Sequence, residues 1–372
     1  MNLKILPCAA LRGSRIFLAA LLLWGANLQA GVIPVSDPNV IDGLSPYNWV
    51  CRNDSISSTV NGASLTLKLK GTRTVALRVD TSHIASTLPG RFPIVAWSVK
   101  GGATQSRQLA AHEDQLILAS DVANPVIELY VKGMSPFEDR YSGDTPPNSI
   151  KITGIVVDEG GTAVKPELPQ NIWLNIGDSI MSGDGAAYAE GQGRPPDNAW
   201  AASEDGRASY GYLLAQHHGY RESRIAYGGY DWGGGMAGVP ALADLIDHRT
   251  STVSRLQGGK LRPPPDVVLI NLGENGAPSE NSVIQALTRL RDRAGSKTKI
   301  IVMIPASGRA RDEVTRAFNL YKSAAKDDSA WLVDAGKVTF ATCDGQHPTA
   351  AGHRAIYEAA LPALDAILGG GK

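Results

Sequence analysis

The pattern of apolar residues changes along the chain, and this change limits the folds that the chain can adopt. Between residues 31 and 165, short segments such as 64–70 and 75–80 alternate polar and apolar side chains. Alternation with a period of two is typical of strands that bury one face, and turn signals such as Asn61-Gly62 separate the segments. Many short strands without long helical segments predict an all-β sandwich domain, jelly-roll-like in form, over residues 31–165.

The second part of the chain alternates strands with helices. Residues 158–169, rich in glycine and proline, are interpreted as a linker. Beyond them, apolar runs and helical spacings predict an α/β domain over residues 166–372, with a parallel sheet covered by helices on both faces. We expect strands at 172–176, 223–227, 267–272, 299–304 and 331–333, and helices at 211–217, 282–294, 312–326 and 350–367. The active site of such a domain lies at the carboxyl ends of its strands.

The first 30 residues are interpreted as a secretory signal peptide. Three basic residues precede an apolar segment at 16–24, and Leu28-Gln29-Ala30 ends with a small residue at the expected cleavage site. This segment is short for a membrane span, although an uncleaved anchor is the alternative. We therefore expect a periplasmic or secreted protein that begins at Gly31 and has no stable membrane insertion.

Charge and cysteine content narrow the classes of partner. The chain carries 36 basic and 36 acidic residues, so it lacks the excess positive charge by which proteins bind nucleic acid. Beyond the leader, Cys51 and Cys343 either form one disulfide of an exported protein or stay two separate buried thiols. The sequence leaves both possibilities open, and no cluster of cysteine and histidine indicates a metal.

Three short motifs place reactive side chains where strands are predicted to end or a helix to begin. Gly177-Asp178-Ser179 and Asn275 each follow an apolar run, and Asp344 and His347 precede the last helix. A serine hydroxyl needs a base to take its proton, and histidine titrates near neutrality. A carboxylate can orient the imidazole, and an amide can stabilise a developing oxyanion. Each motif also has a structural interpretation: a helix cap for Ser179, turn or loop residues for Asp344 and Asn275.

Taken in this order, the motifs resemble those of the SGNH or GDSL hydrolases. Gly177-Asp178-Ser179 matches the first block of that family, Gly273-Glu274-Asn275 the third, and Asp344 with His347 the fifth. Gly276 stands where the family has an aspartate, and Asp231 aligns with the glycine of the second block. The resemblance covers residues 170–368.

This resemblance implies a flavodoxin-like hydrolase domain in which Ser179 is the nucleophile, His347 the base and Asp344 the orienting carboxylate. It also implies an oxyanion hole formed by the side chain of Asn275 and by backbone amides. Within the loop 229–233, Gly229 is the candidate for one of these amides. Such chemistry requires no metal and no organic cofactor.

A sandwich that precedes a GDSL domain also resembles secreted bacterial carbohydrate esterases, which remove acetyl groups from polysaccharides. We therefore expect an exported serine esterase whose partner is an acetylated polysaccharide or a small acyl ester. Trp200 and Trp232 are candidates for the substrate rim, because aromatic faces stack on sugar rings. The alternatives are a lipase-like or thioesterase-like esterase for longer acyl chains, and a catalytically silent glycan-binding or matrix-assembly protein.

Overall fold

The computed structural model describes residues 30–369, so the expected signal peptide, apart from Ala30, lies outside the described residues. From Gly31 to Val164 the chain forms two antiparallel sheets. Their strands are β1 (Gly31–Ile33), β2 (Val50–Cys51), β3 (Ile56–Ser58), β4 (Ser64–Lys70), β5 (Val75–Val79), β6 (Ile94–Val99), β7 (Gln105–Gln108), β8 (Gln115–Ala119), β9 (Val126–Gly133), β10 (Ile150–Val157) and β11 (Thr162–Val164), and a short helix α1 (Pro38–Ile41) follows β1. One sheet has the order β2-β3-β10-β5-β8 with β1 also paired to β10, and the other has the order β11-β4-β9-β6-β7.

Strand β4 shows how the alternating pattern produces a sandwich. Leu65, Leu67 and Leu69 are buried, whereas the residues between them are partly exposed. These leucines belong to the same buried cluster as Leu77 of β5, which lies in the other sheet. Burying one leucine side chain contributes about 1.5–3 kcal/mol. The predicted β-sandwich is confirmed.

The linker predicted over residues 158–169 is wrong for its middle part. Thr162–Val164 is strand β11, which pairs with the end of β4 at the edge of the second sheet. The glycines before it form a tight turn, in which the Gly161 N–H donates to the Asp158 carbonyl. The glycine-rich composition therefore marked a turn between two strands.

The parallel sheet lies in the second part of the chain, as predicted. Its order is β13-β12-β16-β17-β18, and all its pairs are parallel. The strands here are β12 (Ile172–Gly177), β13 (Arg221–Ala226), β14 (His248–Thr250), β15 (Val253–Ser254), β16 (Val267–Asn271), β17 (Lys299–Met303) and β18 (Ala330–Val333), of which β14 and β15 form a separate hairpin. The helices are α2 (Ser179–Ser182), α3 (Trp200–Ser203), α4 (Tyr210–His217), α5 (Leu242–Leu245), α6 (Glu280–Ala294), α7 (Arg311–Ala325) and α8 (Ala350–Leu368).

Helices cover both faces of this sheet. On β16, Val268 and Ile270 belong to the cluster that includes the buried faces of α6 and α7. Val267 and Leu269 point the other way, into a second cluster with α4 and α8. Burial on both faces explains why the strand is a continuous apolar run. Within residues 30–369, none of the helices has both the length and the apolar character that a bilayer crossing needs.

The sandwich and the α/β part are joined by polar contacts, some buried and some exposed. Asn48 Nδ2 donates to the Arg224 carbonyl at 2.5 Å, and Arg91 Nε donates to the Asp197 carbonyl at 3.1 Å. No covalent bond adds to these contacts, because Cys51 and Cys343 are both free. The possible disulfide is therefore absent, and Cys51 is exposed rather than buried.

Candidate active site

The nucleophile candidate lies on a turn between strand β12 and helix α2. Asp178 caps the helix, since its Oδ1 accepts from the Ile180 N–H at 2.9 Å, and Ser179 is the first helical residue. The helix folds back closely over the strand: a Cβ at Gly177 would lie only 2.3 Å from the Cβ of Met181. Glycine at this position permits the turn that presents the Ser179 hydroxyl at the carboxyl edge of the sheet.

Ser179, His347 and Asp344 form a continuous chain of side-chain contacts. His347 Nε2 lies 3.1 Å from Ser179 Oγ, and His347 Nδ1 lies 2.8 Å from Asp344 Oδ2. Both distances are within hydrogen-bonding range. The serine is 4% exposed and the histidine 8% exposed, so the chain is largely shielded from water. One imidazole nitrogen thus faces a hydroxyl while the other faces a carboxylate.

Asp344 is at once a turn residue and a partner of the imidazole. Its Oδ1 accepts from the backbone N–H groups of Gln346 and His347 at 3.0 and 2.8 Å. Gly345 between them has a φ of +87°, which the tight turn requires. Burial by itself raises the pKa of Asp344, but the hydrogen bonds from the His347 backbone and ring outweigh it and hold the pKa below its ordinary value. The carboxylate is therefore ionised at neutral pH.

Two neighbours restrict the His347 side chain. The backbone of Gly185 lies against it, so that a Cβ at Gly185 would be 2.8 Å from His347 Cβ. The Trp200 ring meets the imidazole edge to face, with ring centroids 5.5 Å apart and planes at 88°. These contacts hold the ring in the orientation that reaches Ser179.

Two backbone N–H groups near Ser179 are available as donors. Neither the Ser179 N–H nor the Gly229 N–H donates a hydrogen bond within residues 30–369. Gly229 lines the same cleft as Ser179 and has a φ of +63°. The structure thus places Gly229 and Ser179 in the lining of one cleft, and the role of the Gly229 N–H as an oxyanion donor stays a prediction.

Asn275 also lines the cleft, but its amide is already engaged. Its Nδ2 donates to the Tyr230 carbonyl at 3.0 Å and to Asp178 Oδ2 at 3.3 Å. An amide nitrogen carries two hydrogens, so both are used. Burial raises the pKa of Asp178 to about 7, which weakens this carboxyl as an acceptor.

Asp231 fills the space beside Gly276, the position at which the chain departs from the family pattern. A Cβ on Gly276 would lie 3.0 Å from Asp231 Oδ2. Asp231 is itself the residue that aligns with the family glycine. The two departures are therefore neighbours in the structure. The Asp231 carboxylate lies next to Gly276, the position at which the family has an aspartate side chain.

The cleft around these groups encloses about 200 Å³. Pro136 and Phe137, which follow strand β9 of the sandwich, form part of its wall. Phe137 meets Trp200 edge to face, with ring centroids 5.3 Å apart. Arg194 and Gln346 add polar, exposed groups at the opening. The sandwich thus contributes directly to the surface that a substrate would touch.

The two tryptophans expected at the rim are placed differently from that expectation. Trp232 has no exposed surface, and its Nε1 donates to the Leu272 carbonyl at 3.3 Å, so its assignment to the rim is wrong. The glycine-rich loop turns inward there, which buries the large apolar ring. Trp200 does line the cleft, but it is a buried wall with Arg194 over its ring.

Sequence reasoning missed Asp184, a buried carboxyl that also lines the cleft. A local sequence pattern could have indicated this residue. Gly183-Asp184-Gly185 closely follows the first motif, and glycines on both sides of a residue indicate that the backbone there lies close to neighbouring groups. Phe137 had no such signal, because it belongs to the other part of the chain and reaches the cleft only through the tertiary fold.

A buried chain from serine to histidine to carboxylate, at the carboxyl edge of a parallel sheet, is the arrangement found in hydrolases of the serine type. A family model described as GDSL-like lipase/acylhydrolase matches residues 174–360, which is half of the chain. The chain belongs to this family and is a carboxylic ester hydrolase. The resemblance seen in the motifs is confirmed. A comparison with curated protein sequences gives no significant match.

Several solved structures share the whole two-part fold. A family two carbohydrate esterase from Cellvibrio japonicus is 18% identical, with a TM-score of 0.72 over 91% of this chain and 98% of the other. An acetyl xylan esterase from Butyrivibrio proteoclasticus is 16% identical, with a TM-score of 0.71 over 91% and 99%. A family two carbohydrate esterase from Clostridium thermocellum, solved with cellohexaose, is 18% identical, with a TM-score of 0.65 over 91% and 99%.

Proposed function

We propose that this protein is an exported serine esterase that removes acetyl groups from carbohydrate through an acyl-serine intermediate. The observation that carries the proposal is the contact chain Ser179–His347–Asp344, with distances of 3.1 and 2.8 Å, at the floor of a small cleft. Each member has the chemical type and the position that one role in ester hydrolysis needs.

In the first half-reaction, Ser179 Oγ attacks the ester carbonyl carbon while its proton passes to His347 Nε2. Asp344 stabilises the imidazolium that forms. The tetrahedral intermediate collapses when the bond between the acyl carbon and the sugar oxygen breaks, and the leaving sugar oxygen takes the proton from His347. In the second half-reaction, water attacks the acetyl-serine with its proton passing to His347, and acetate leaves as Ser179 recovers a proton.

Backbone amides hold the negative charge of each tetrahedral intermediate. The Ser179 and Gly229 N–H groups, which have no other acceptor within the described residues, take this role. Asn275 adds a third donor when its amide exchanges the 3.3 Å contact with Asp178 for the oxyanion. The 3.0 Å bond to the Tyr230 carbonyl keeps the amide oriented during this exchange.

A short acyl group on a polar carrier fits the shape of the cleft. Phe137 and Trp200 form apolar parts of its wall, and the exposed polar side chains Arg194 and Gln346 also line it. Solved structures that share the fold are described as carbohydrate esterases, one of them as an acetyl xylan esterase. These similarities support carbohydrate as the carrier.

The test is acetate release from acetylated xylan and acetylated glucomannan, alongside 4-nitrophenyl acetate, butyrate and octanoate. We expect acetate release from at least one polysaccharide, and kcat/KM that falls by at least tenfold from acetate to octanoate. A preference for octanoate would instead establish the esterase for longer acyl chains. Binding of glycan without any ester hydrolysis would establish the catalytically silent protein.

Export is a separate part of the proposal. It is supported by the leader sequence and by strand β1, which begins at Gly31 and pairs with β10. Cleavage after Ala30 would leave that pairing complete. N-terminal sequencing of the protein from the periplasm or medium is expected to start at Gly31, and a retained leader would contradict this part.

A further inference from the structure

Two buried carboxyl groups, Asp184 and Glu204, lie next to the serine–histidine chain. Each is 1% exposed, and two backbone hydrogen bonds hold their segments side by side, from the Asp205 N–H to the Gly183 carbonyl at 3.0 Å and from the Ala187 N–H to the Ser203 carbonyl at 2.9 Å. Within the described residues, Asp184 Oδ1 is buried and has no hydrogen-bond donor. Two ionised carboxylates have only acceptors, so a hydrogen bond between this oxygen and the Glu204 carboxyl needs a proton on one of them.

The outer atoms of the pair are held by specific donors. Asp184 Oδ2 accepts from Trp200 Nε1 at 3.1 Å. On the other side, Glu204 Oε2 accepts from Asn61 Nδ2 at 2.7 Å and from the Met134 N–H at 2.5 Å. Asn61 and Met134 belong to the sandwich, whereas Trp200 lies against His347.

The charges around the pair favour one negative charge over two. Arg140 is buried nearby and forms no ion pair within the described residues, so a single negative charge on the pair balances it. His347 is the other cationic group when protonated, and the carboxyl of Asp178 also faces Asp184. Burial raises the pKa of Asp184, and burial together with the Asp184 charge raises the pKa of Glu204. Two like charges side by side in a buried site cannot both ionise readily.

We propose that Asp184 and Glu204 share one proton and act as a single positioning unit, which ties Trp200, and through it His347, to the sandwich. The proposal rests on the serine esterase proposed above only for its kinetic consequences. The shared proton itself follows from the contacts and does not depend on which ester is cleaved.

Infrared spectroscopy at pH 7.5 tests the shared proton directly, with Asp178→Asn as the background of every sample, because Asp178 with its pKa of about 7 would itself add a band. Ordinary carboxyls are ionised at this pH, so a protonated buried carboxyl gives a separate carbonyl band. We expect this band in the parent protein and its loss in both Asp184→Asn and Glu204→Gln, because the remaining carboxyl then carries the charge opposite Arg140. Glu167→Gln is the control, since this exposed carboxyl should leave the band in place. A parent spectrum without the band, or a band that persists in either amide variant, would overturn the proposal.

Kinetics with 4-nitrophenyl acetate tests the positioning role. An amide can still accept from Trp200 or donate within the pair, so each single amide variant should lose less than threefold in kcat. Asp184→Ala should lose at least tenfold in kcat with KM changed less than threefold, because the indole anchor is gone and His347 is misplaced. An amide variant as impaired as the alanine variant, or an effect confined to KM, would overturn the positioning role. If the parent hydrolyses no ester, the function proposed above fails, while the infrared result still decides on the shared proton.

Discussion

The Nε2 atom of His347 lies 3.1 Å from the hydroxyl oxygen of Ser179, although 168 residues separate them in the sequence. Three structural features create this contact. Helix α2 starts directly after β12, the turn at Gly345 directs the imidazole inward, and Gly185 gives the histidine room to approach. The contact places a base next to the serine hydroxyl, and the following predictions depend on this arrangement.

His347→Ala should lower kcat/KM for an acetyl ester at least as much as Asp344→Ala does. In the proposed mechanism His347 accepts the serine proton, whereas Asp344 orients the base and stabilises its cation. Because the pKa of Asp344 is held below its ordinary value, protonation of this carboxylate should add no step to the activity profile near neutral pH. Steady-state rates across pH, with circular dichroism as the folding control, measure this. A folded Asp344→Ala that is clearly worse than His347→Ala would contradict the assignment of the base.

Gly229→Ala should lower kcat by roughly 10–100-fold while KM changes little, since oxyanion donors act mainly on the transition state. Gly229 has a φ of +63°, and a Cβ there would lie 2.7 Å from the side chain of Met236. Adding Met236→Ala relieves the steric contact but leaves the backbone strain. If the double variant regains the full rate, the loss came from crowding, and the Gly229 N–H is not a donor to the oxyanion.

As the pH falls from 7 to 5, the buried His353 should make a destabilising contribution to the free energy of folding. Burial lowers its pKa from 6.5 to about 3, so the folded protein keeps it neutral while the unfolded chain takes up a proton. Its contribution to stability is fully present above pH 6.5 and is lost as the pH falls towards 3, with a loss of about 2 kcal/mol by pH 5. Asp178, with its raised pKa of about 7, has the opposite dependence and favours the folded state in acid.

Comparing the parent with His353→Gln separates the contribution of His353 to pH-dependent stability from that of Asp178, which is present in both proteins. Glutamine can still accept from the Tyr210 N–H, which the His353 ring now does at 3.4 Å. Urea unfolding at pH 7 and pH 5 should show a smaller acid loss in this variant by about 2 kcal/mol. Equal losses in the parent and the variant would show that His353 is not buried neutral.

The segment 166–372 alone should have little activity even on a small soluble ester. Without residues 31–165 the cleft loses Phe137, and Ser182 loses the hydrogen bond that Asn61 Nδ2 donates at 2.8 Å. Asn61→Ala in the full chain should also lower activity on the small ester, but by less than the loss of the whole sandwich. If the isolated segment hydrolyses 4-nitrophenyl acetate at the full rate and loses activity only on polymer, the sandwich is a glycan-binding module instead.

The spacing of apolar residues predicted both types of sheet because it reflects whether one face or both faces of a strand are buried. The leucines of β4 alternate with polar residues since one face of that strand is buried, and β16 is continuously apolar since both of its faces are. The same logic failed at β11, where a short edge strand buries too little to leave a pattern.

The sequence predicted the reactive residues of the site where they belong to short sequence motifs. Ser179, Asp344 and His347 have fixed local spacings, and the structure brings them together. Phe137, Asn61 and Glu204 meet the site through packing between the two parts of the chain, which no local pattern encodes. Trp232 shows the opposite error: an aromatic residue in a glycine-rich loop can point into the core as readily as into a cleft.

The hydrolysis of 4-nitrophenyl acetate by Ser179→Ala, beside the parent and the surface control Ser282→Ala, tests the central claim most directly. Ser179→Ala removes one buried hydroxyl and should keep the fold and the melting temperature, while kcat falls by at least about 10³-fold because no acyl-enzyme can form. Ser282→Ala, on helix α6 away from the cleft, should match the parent. A folded Ser179→Ala variant that keeps more than a few per cent of the parent rate would contradict the account.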